Sequence, residues 1–202
     1  MSPRDSIAAS VRGGLVLLFT GLSGSGKTTL SRSVATALED AGRGPVTMLD
    51  GDVVRSMLSS ELTFTREHRE LNVRRIGFVA AEIARHGGTT VCSPIAPYEA
   101  VRAEVRAMVE RHGTFVLVHV STPLEVCEAR DVKGLYARAR AGLVPVFTGV
   151  SDPYEVPRDA DVVVDTSTAT VAACTADVMA VLAARHLLAV PSSTSARATG
   201  VG

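Results

Sequence analysis

Tryptophan is absent from this chain, and aromatic residues make up only 4% of it against a hydrophobic fraction of 46%. A core built from Ala, Val and Leu suits helices packed on a sheet better than an all-β sandwich. Net charge is absent too: 21 Lys and Arg residues are balanced by 21 Asp and Glu. With no field of one sign, nothing advertises a nucleic-acid or membrane partner, and any anion must be held by a local cluster. Cysteine is scarce. Cys92, Cys127 and Cys174 are scattered without metal-ligand spacing and read as buried, reduced thiols of a cytoplasmic protein. No apolar run is long enough to span a bilayer, and the opening stretch MSPRDSIAAS lacks a signal-peptide core.

What is present fits one domain. A chain of 202 residues is long enough for a single full core. The polar start, residues 1–12, and the Ser/Thr/Gly/Ala-rich end, residues 189–202, read as flexible tails around a domain at 13–188. Within it, short apolar runs alternate with amphipathic segments. Strands are expected at 15–20, 46–49, 89–93, 114–120 and 161–165. Helices are expected at about 27–40, 66–86, 98–112 and 168–187. That alternation predicts an α/β fold: a parallel five-stranded sheet with helices on both faces. The segment 131–159 is rich in Gly, Pro and basic residues and has little periodicity, as expected of a lid over an active site.

The stretch GLSGSGKTT, Gly21 to Thr29, follows the first strand and opens the first helix. It fits the P-loop pattern at Gly21, Gly26, Lys27 and Thr28. Glycines let the backbone curl so that its N–H groups point at phosphate oxygens, and the helix adds the positive end of its dipole. Lys27 reaches the β- and γ-phosphates, and the Thr28 hydroxyl suits Mg²⁺. Ser23, Gly24, Ser25 and Thr29 complete the cradle for ATP. A P-loop does not by itself choose among kinases, GTPases and motor ATPases. The guanine-reading N-K-x-D stretch is absent, and so is an apolar run ending in Asp-Glu. A small phosphotransferase is left.

The second strand ends in LDGDVVR. Strand carboxyl ends form the ligand crevice of a parallel sheet, so Asp50 and Asp52 are expected to face the P-loop. A carboxylate there accepts a hydroxyl proton or holds waters on Mg²⁺. Arg55 follows one helical turn after Asp52. The competing role for such an Asp is to cap a helix. In FTREHRELNVRR, Arg69 and Asn72 share a helix face suited to an anion and a base or ribose; an exposed charged face is the plainer alternative. The segment 130–157 gathers Arg130, Lys133, Arg138 and Arg140 with Phe147, three glycines and three prolines. A basic, hinged loop with an aromatic tip can close over nucleotides and exclude water.

Together GLSGSGKTT, LDGDVVR, RELNVRR, KGLYARAR and FTGVSDPYEVP resemble the adenylylsulfate kinase family over about residues 14–187. The resemblance implies a P-loop kinase that moves the γ-phosphate of ATP to the 3′-hydroxyl of adenosine 5′-phosphosulfate (APS), giving PAPS for sulfate assimilation. It implies Asp52 as the group handling the hydroxyl proton and the Mg²⁺ waters, and Lys27 as the stabiliser of the moving phosphoryl. Arg55, Arg69 and Asn72 would bind the phosphosulfate and ribose, Phe64 and Phe147 would sandwich the adenine, and Asp50, Ile95, Ala96 and Lys133 would line the acceptor side. Arg130 would sit near the ATP end. A homodimer and an ATP sulfurylase partner are also implied. The chain departs from the family pattern at four places. The family's Asp-Arg and Glu-Asn pairs are here His68-Arg69 and Leu71-Asn72, and its Ser-Pro-Tyr-Arg is Ala96-Pro97-Tyr98-Glu99. These changes leave two further readings: a related kinase with a different nucleotide or small hydroxylated acceptor, and a weakly active nucleotide-binding subunit of a sulfurylase complex.

Overall fold

An apolar run with no polar alternation is hidden only when both faces of its strand are covered. The computed structural model, which describes residues 13–188, folds Gly14–Thr20 as β1 with every residue buried. The expected tails lie outside the described residues. β1 is followed by α1 (Lys27–Leu38), a tight π-helical turn at Glu39–Arg43, β2 (Val46–Leu49) and α2 (Gly51–Met57). Then come α3 (Arg66–Arg85), β3 (Thr89–Cys92), α4 (Glu99–Glu110) and β4 (Gly113–Val120). The chain continues through α5 (Leu124–Arg130), α6 (Leu135–Arg140), β5 (Val162–Val164) and α7 (Val171–Ala184).

The five strands are parallel in the order β2-β3-β1-β4-β5. Side chains alternate across a strand, so β1 feeds two cores. Leu15, Leu17 and Phe19 pack with Leu30, Val34 and Leu38 of α1 and with Cys174, Val178 and Leu182 of α7. Val16 and Leu18 pack on the other face with Ile76, Ala80 and Ala84 of α3 and Val101, Val105 and Val109 of α4. All three cysteines are buried free thiols.

The five strands and four long helices fall where the periodicity places them, with ends shifted by a few residues, while the short helices α2, α5 and α6 are too brief for it to announce. α1 stops at Leu38, because the chain turns through Gly42 at φ 73°. α7 starts at Val171 because Thr170 caps it, its side chain accepting the Ala173 N–H. The segment 131–159 is more ordered than its composition predicts. It contains α6, and Tyr136 and Phe147 join Cys127 of α5 in a third small core. Its second half, 146–157, is a strap pinned onto α3 and α4. The Arg102 guanidinium donates to Ala96 O at 2.8 Å and Glu155 O at 2.7 Å. The Glu155 N–H donates to Pro97 O at 2.9 Å. The Tyr154 hydroxyl lies 2.9 Å from Thr20 Oγ1.

Candidate active site

The cradle forms where β1 ends and α1 begins. Gly21 and Gly26 have φ of 153° and 93°, and the space beside them is taken. A Cβ on Gly21 would lie 2.5 Å from Val120 O, and one on Gly26 would lie 3.0 Å from Thr166 Oγ1. Thr122 and Thr166, at the carboxyl ends of β4 and β5, both donate to Ser25 O, at 3.1 and 2.8 Å. Arg130 closes the group, donating to Gly24 O at 3.3 Å and Thr166 O at 2.8 Å. The threonines went unnoticed in the sequence. The rule that ligands gather at strand ends would have found them.

The ammonium of Lys27 folds back onto the loop, donating to Leu22 O at 2.6 Å. Burial brings its pKa down from 10.5 to about 8, with the nearby Lys133 adding to the fall and Cys127, Asp50 and Asp52 opposing it. Arriving phosphate charge would reverse that desolvation effect.

Asp50 and Asp52 open α2 beside this cradle. Asp50 is the cap: its Oδ1 accepts the Asp52 N–H at 3.0 Å. The capping role weighed for an Asp here therefore belongs to Asp50, whose Oδ2 also accepts from Thr28 Oγ1 at 3.1 Å and Ser93 Oγ at 3.3 Å. Asp52 is left with an exposed carboxylate, paired with the Lys133 ammonium. The donor set of one hydroxyl and two carboxylates consists of hard oxygens, which suits Mg²⁺ completed by phosphate and water.

On the acceptor side, Arg55 donates to Leu62 O at 3.3 Å and Thr63 O at 2.9 Å, and its guanidinium lies over the Phe64 ring at 4.6 Å. Phe64 itself is 61% exposed. Phe147 is not: its ring packs edge-on against Tyr136, with centroids 5.0 Å apart. Stacking on a base would require that ring to leave its core. Asn72 is buried, and its Oδ1 has no hydrogen-bond partner among the described residues. Ile95 and Ala96 are tied to the end of β1. Thr20 Oγ1 donates to Ile95 O at 2.7 Å and Ala96 O at 3.1 Å, and Ala96 adopts φ 45°. Arg69 lies half-buried against the strap, with Thr148 and Asp152 as partners.

Two of the four departures have contacts of their own. Glu99 is exposed, and its N–H donates to Glu155 Oε2 at 2.6 Å. His68 serves the entry of α3, with Nδ1 accepting the Thr63 N–H at 3.0 Å.

Comparison with known proteins identifies the family. The adenylylsulphate kinase family matches residues 13–165. An adenylyl-sulfate kinase of Synechococcus sp. (strain JA-3-3Ab) is 54% identical over 163 residues, covering 81% of this chain and 90% of the relative. A sulfate adenylyltransferase of Mycosarcoma maydis is 46% identical over 188 residues, but the match spans 92% of this chain and only 33% of that protein. The APS kinase of Mycobacterium tuberculosis, solved with AMPPNP and APS, superposes with a TM-score of 0.79 at 35% identity, over 85% of this chain and 99% of that one. With the P-loop, the Asp50–Asp52 helix start and the strap in place on the same sheet, the chain belongs to the adenylylsulphate kinase family.

Proposed function

We propose that this chain is an adenylyl-sulfate kinase, transferring the γ-phosphoryl of ATP to the 3′-hydroxyl of APS to give PAPS and ADP. The observation that carries the reading is the meeting of Thr28 and Asp50 at 3.1 Å, which brings the end of β2 onto the start of the P-loop helix. The donor machinery and the exposed, Lys133-paired carboxylate of Asp52 thereby share one crevice.

The Gly21–Thr29 amides and Lys27 bind the phosphates and stabilise charge as the bond from the γ-phosphorus to the β–γ bridging oxygen breaks. Asp52 takes the proton of the attacking 3′-hydroxyl. Mg²⁺ would be held by the Thr28 hydroxyl and, through water, by Asp52, and when bound it neutralises phosphate charge. Arg55 and Arg69 serve the phosphosulfate, and the unpartnered Asn72 oxygen suits a ribose hydroxyl. The exposed Phe64 ring offers a face to the base. Lys133 exchanges its contact with Asp52 for the substrate. We also propose that the chain self-associates as a homodimer, which light scattering tests directly.

The decisive experiment is ADP release with ATP, Mg²⁺ and APS, against AMP, adenosine or no acceptor. ADP formed quickly only with APS is the expected result. ATP binding without stimulation by APS would send the search to another acceptor.

A further inference from the structure

The strap residue Asp152 is not among the side chains that face phosphate or base, yet its carboxylate is a crossing point. One oxygen, Oδ2, accepts from Arg69 Nη1 at 2.8 Å and from the Tyr98 hydroxyl at 2.7 Å. Arg69 belongs to the first turn of α3 and Tyr98 immediately precedes α4, so a single atom joins the strap to two helices. The site is enclosed. The Arg69 and Asp152 side chains are 10% and 11% exposed, and Tyr98 is 1% exposed. Burial, helped by Asp152, pushes the Tyr98 phenol up to about 12, so it stays a donor.

The same Arg69 guanidinium reaches both sides of Phe147. Nη1 donates to Thr148 Oγ1 at 2.7 Å and Nη2 donates to Val146 O. The Asp152 backbone closes this turn, donating to Phe147 O at 3.1 Å and accepting from Gly149 N at 2.7 Å. Of the five N–H groups of Arg69, Asp152, Thr148 and Val146 take three. Nε–H and the second Nη2–H remain for an oxyanion. A guanidinium with one edge fixed presents the other in a single orientation, at little entropic cost on binding.

We infer that Asp152 and Tyr98 are positioning residues for the acceptor: they fix the free edge of Arg69 and the backbone around Phe147, and so set acceptor affinity without touching the donor site. This rests on the acceptor reading above. The Asp152–Tyr98 pair meets α3, α4 and the strap, whereas the polar braces of the P-loop come from Thr122, Thr166 and Arg130; the strap meets the loop only through apolar packing of Leu22 against the Phe147 core and, at the end of β1, through Tyr154 and Thr20.

The test is steady-state kinetics of D152N and Y98F with APS and ATP varied separately, with amide hydrogen exchange followed over 146–152. D152N removes the charge opposite a buried guanidinium, so its KM for APS should rise by about tenfold or more, with the KM for ATP within about twofold. Y98F removes one neutral donor and should raise the KM for APS by about threefold to tenfold. Exchange at Gly149 and Asp152 should speed up in both. If D152N fails to fold, Y98F carries the test alone. Wild-type KM for APS with unchanged exchange overturns the inference, and so does an equal rise in both KM values. Absence of APS turnover in the wild type would instead count against the proposed function, and exchange would still decide whether Asp152 fixes the strap.

Discussion

Lys133 and Asp52, 81 residues apart, meet through their side chains, joining the turn before α6 to the start of α2. Both are well exposed, at 55% and 75%, so the pair contributes little to folding. K133A should change stability by less than about 0.5 kcal/mol. Its effect should appear in turnover with APS, falling by about tenfold or more if Lys133 moves onto the substrate. Thermal unfolding and kcat/KM measured together separate the two effects.

D52N keeps the shape of the carboxylate but cannot take a proton. Turnover should fall by about 10²-fold or more, while the ATP dissociation constant moves less than about twofold. Calorimetric ATP titration beside the ADP-release assay checks this. Surviving turnover would assign the base elsewhere.

Lys27 and Lys133 are the only lysines in the chain. ¹⁵N-lysine labelling therefore gives two side-chain resonances, and one should titrate near pH 8. The folded pKa lies below the unfolded one, so burial of charged Lys27 costs stability fully below about pH 8. That penalty is relieved as the pH rises toward 10.5. Between about pH 7.5 and pH 9.5 the wild type should gain about 2 kcal/mol on K27M. Urea unfolding at both values measures the gain. Saturating nucleotide should move the resonance upward and remove the pH dependence.

Glu99 inverts a charge relative to the family, but its exposed side chain predicts silence. E99R should leave the KM for APS within about twofold and stability within about 0.5 kcal/mol. A large fall in the KM for APS would mean that the strap's outer edge reaches the acceptor.

The sheet and the phosphate cradle were legible because their signals are local: an apolar run, then glycines, then Lys27. The strap was not, because what orders it is distant in sequence. Arg69 to Asp152 crosses 83 residues and Thr20 to Tyr154 crosses 134, and no periodicity records either pairing. Phe147 shows the same limit. As a lid aromatic it invites a stacking role, but its burial depends on Tyr136, which lies in a short helix inside a segment of irregular composition. Asp50 and Asp52 looked equivalent at the end of β2. Only the backbone direction at the start of α2 made one a cap and left the other to pair with Lys133.

The strand order has a consequence for how such an enzyme changes over time. β3 separates β1, which delivers the P-loop, from β2, which delivers Asp50 and Asp52. Two strand spacings, about 10 Å, are thus fixed by the backbone ladder and owe nothing to side-chain identity. In the proposed function, acceptor preference is written on a different part of the chain, the strap and the first turn of α3. Selection can redraft that part while the donor geometry stays as it is, so drift toward a new acceptor need not pass through a form that has lost its grip on ATP.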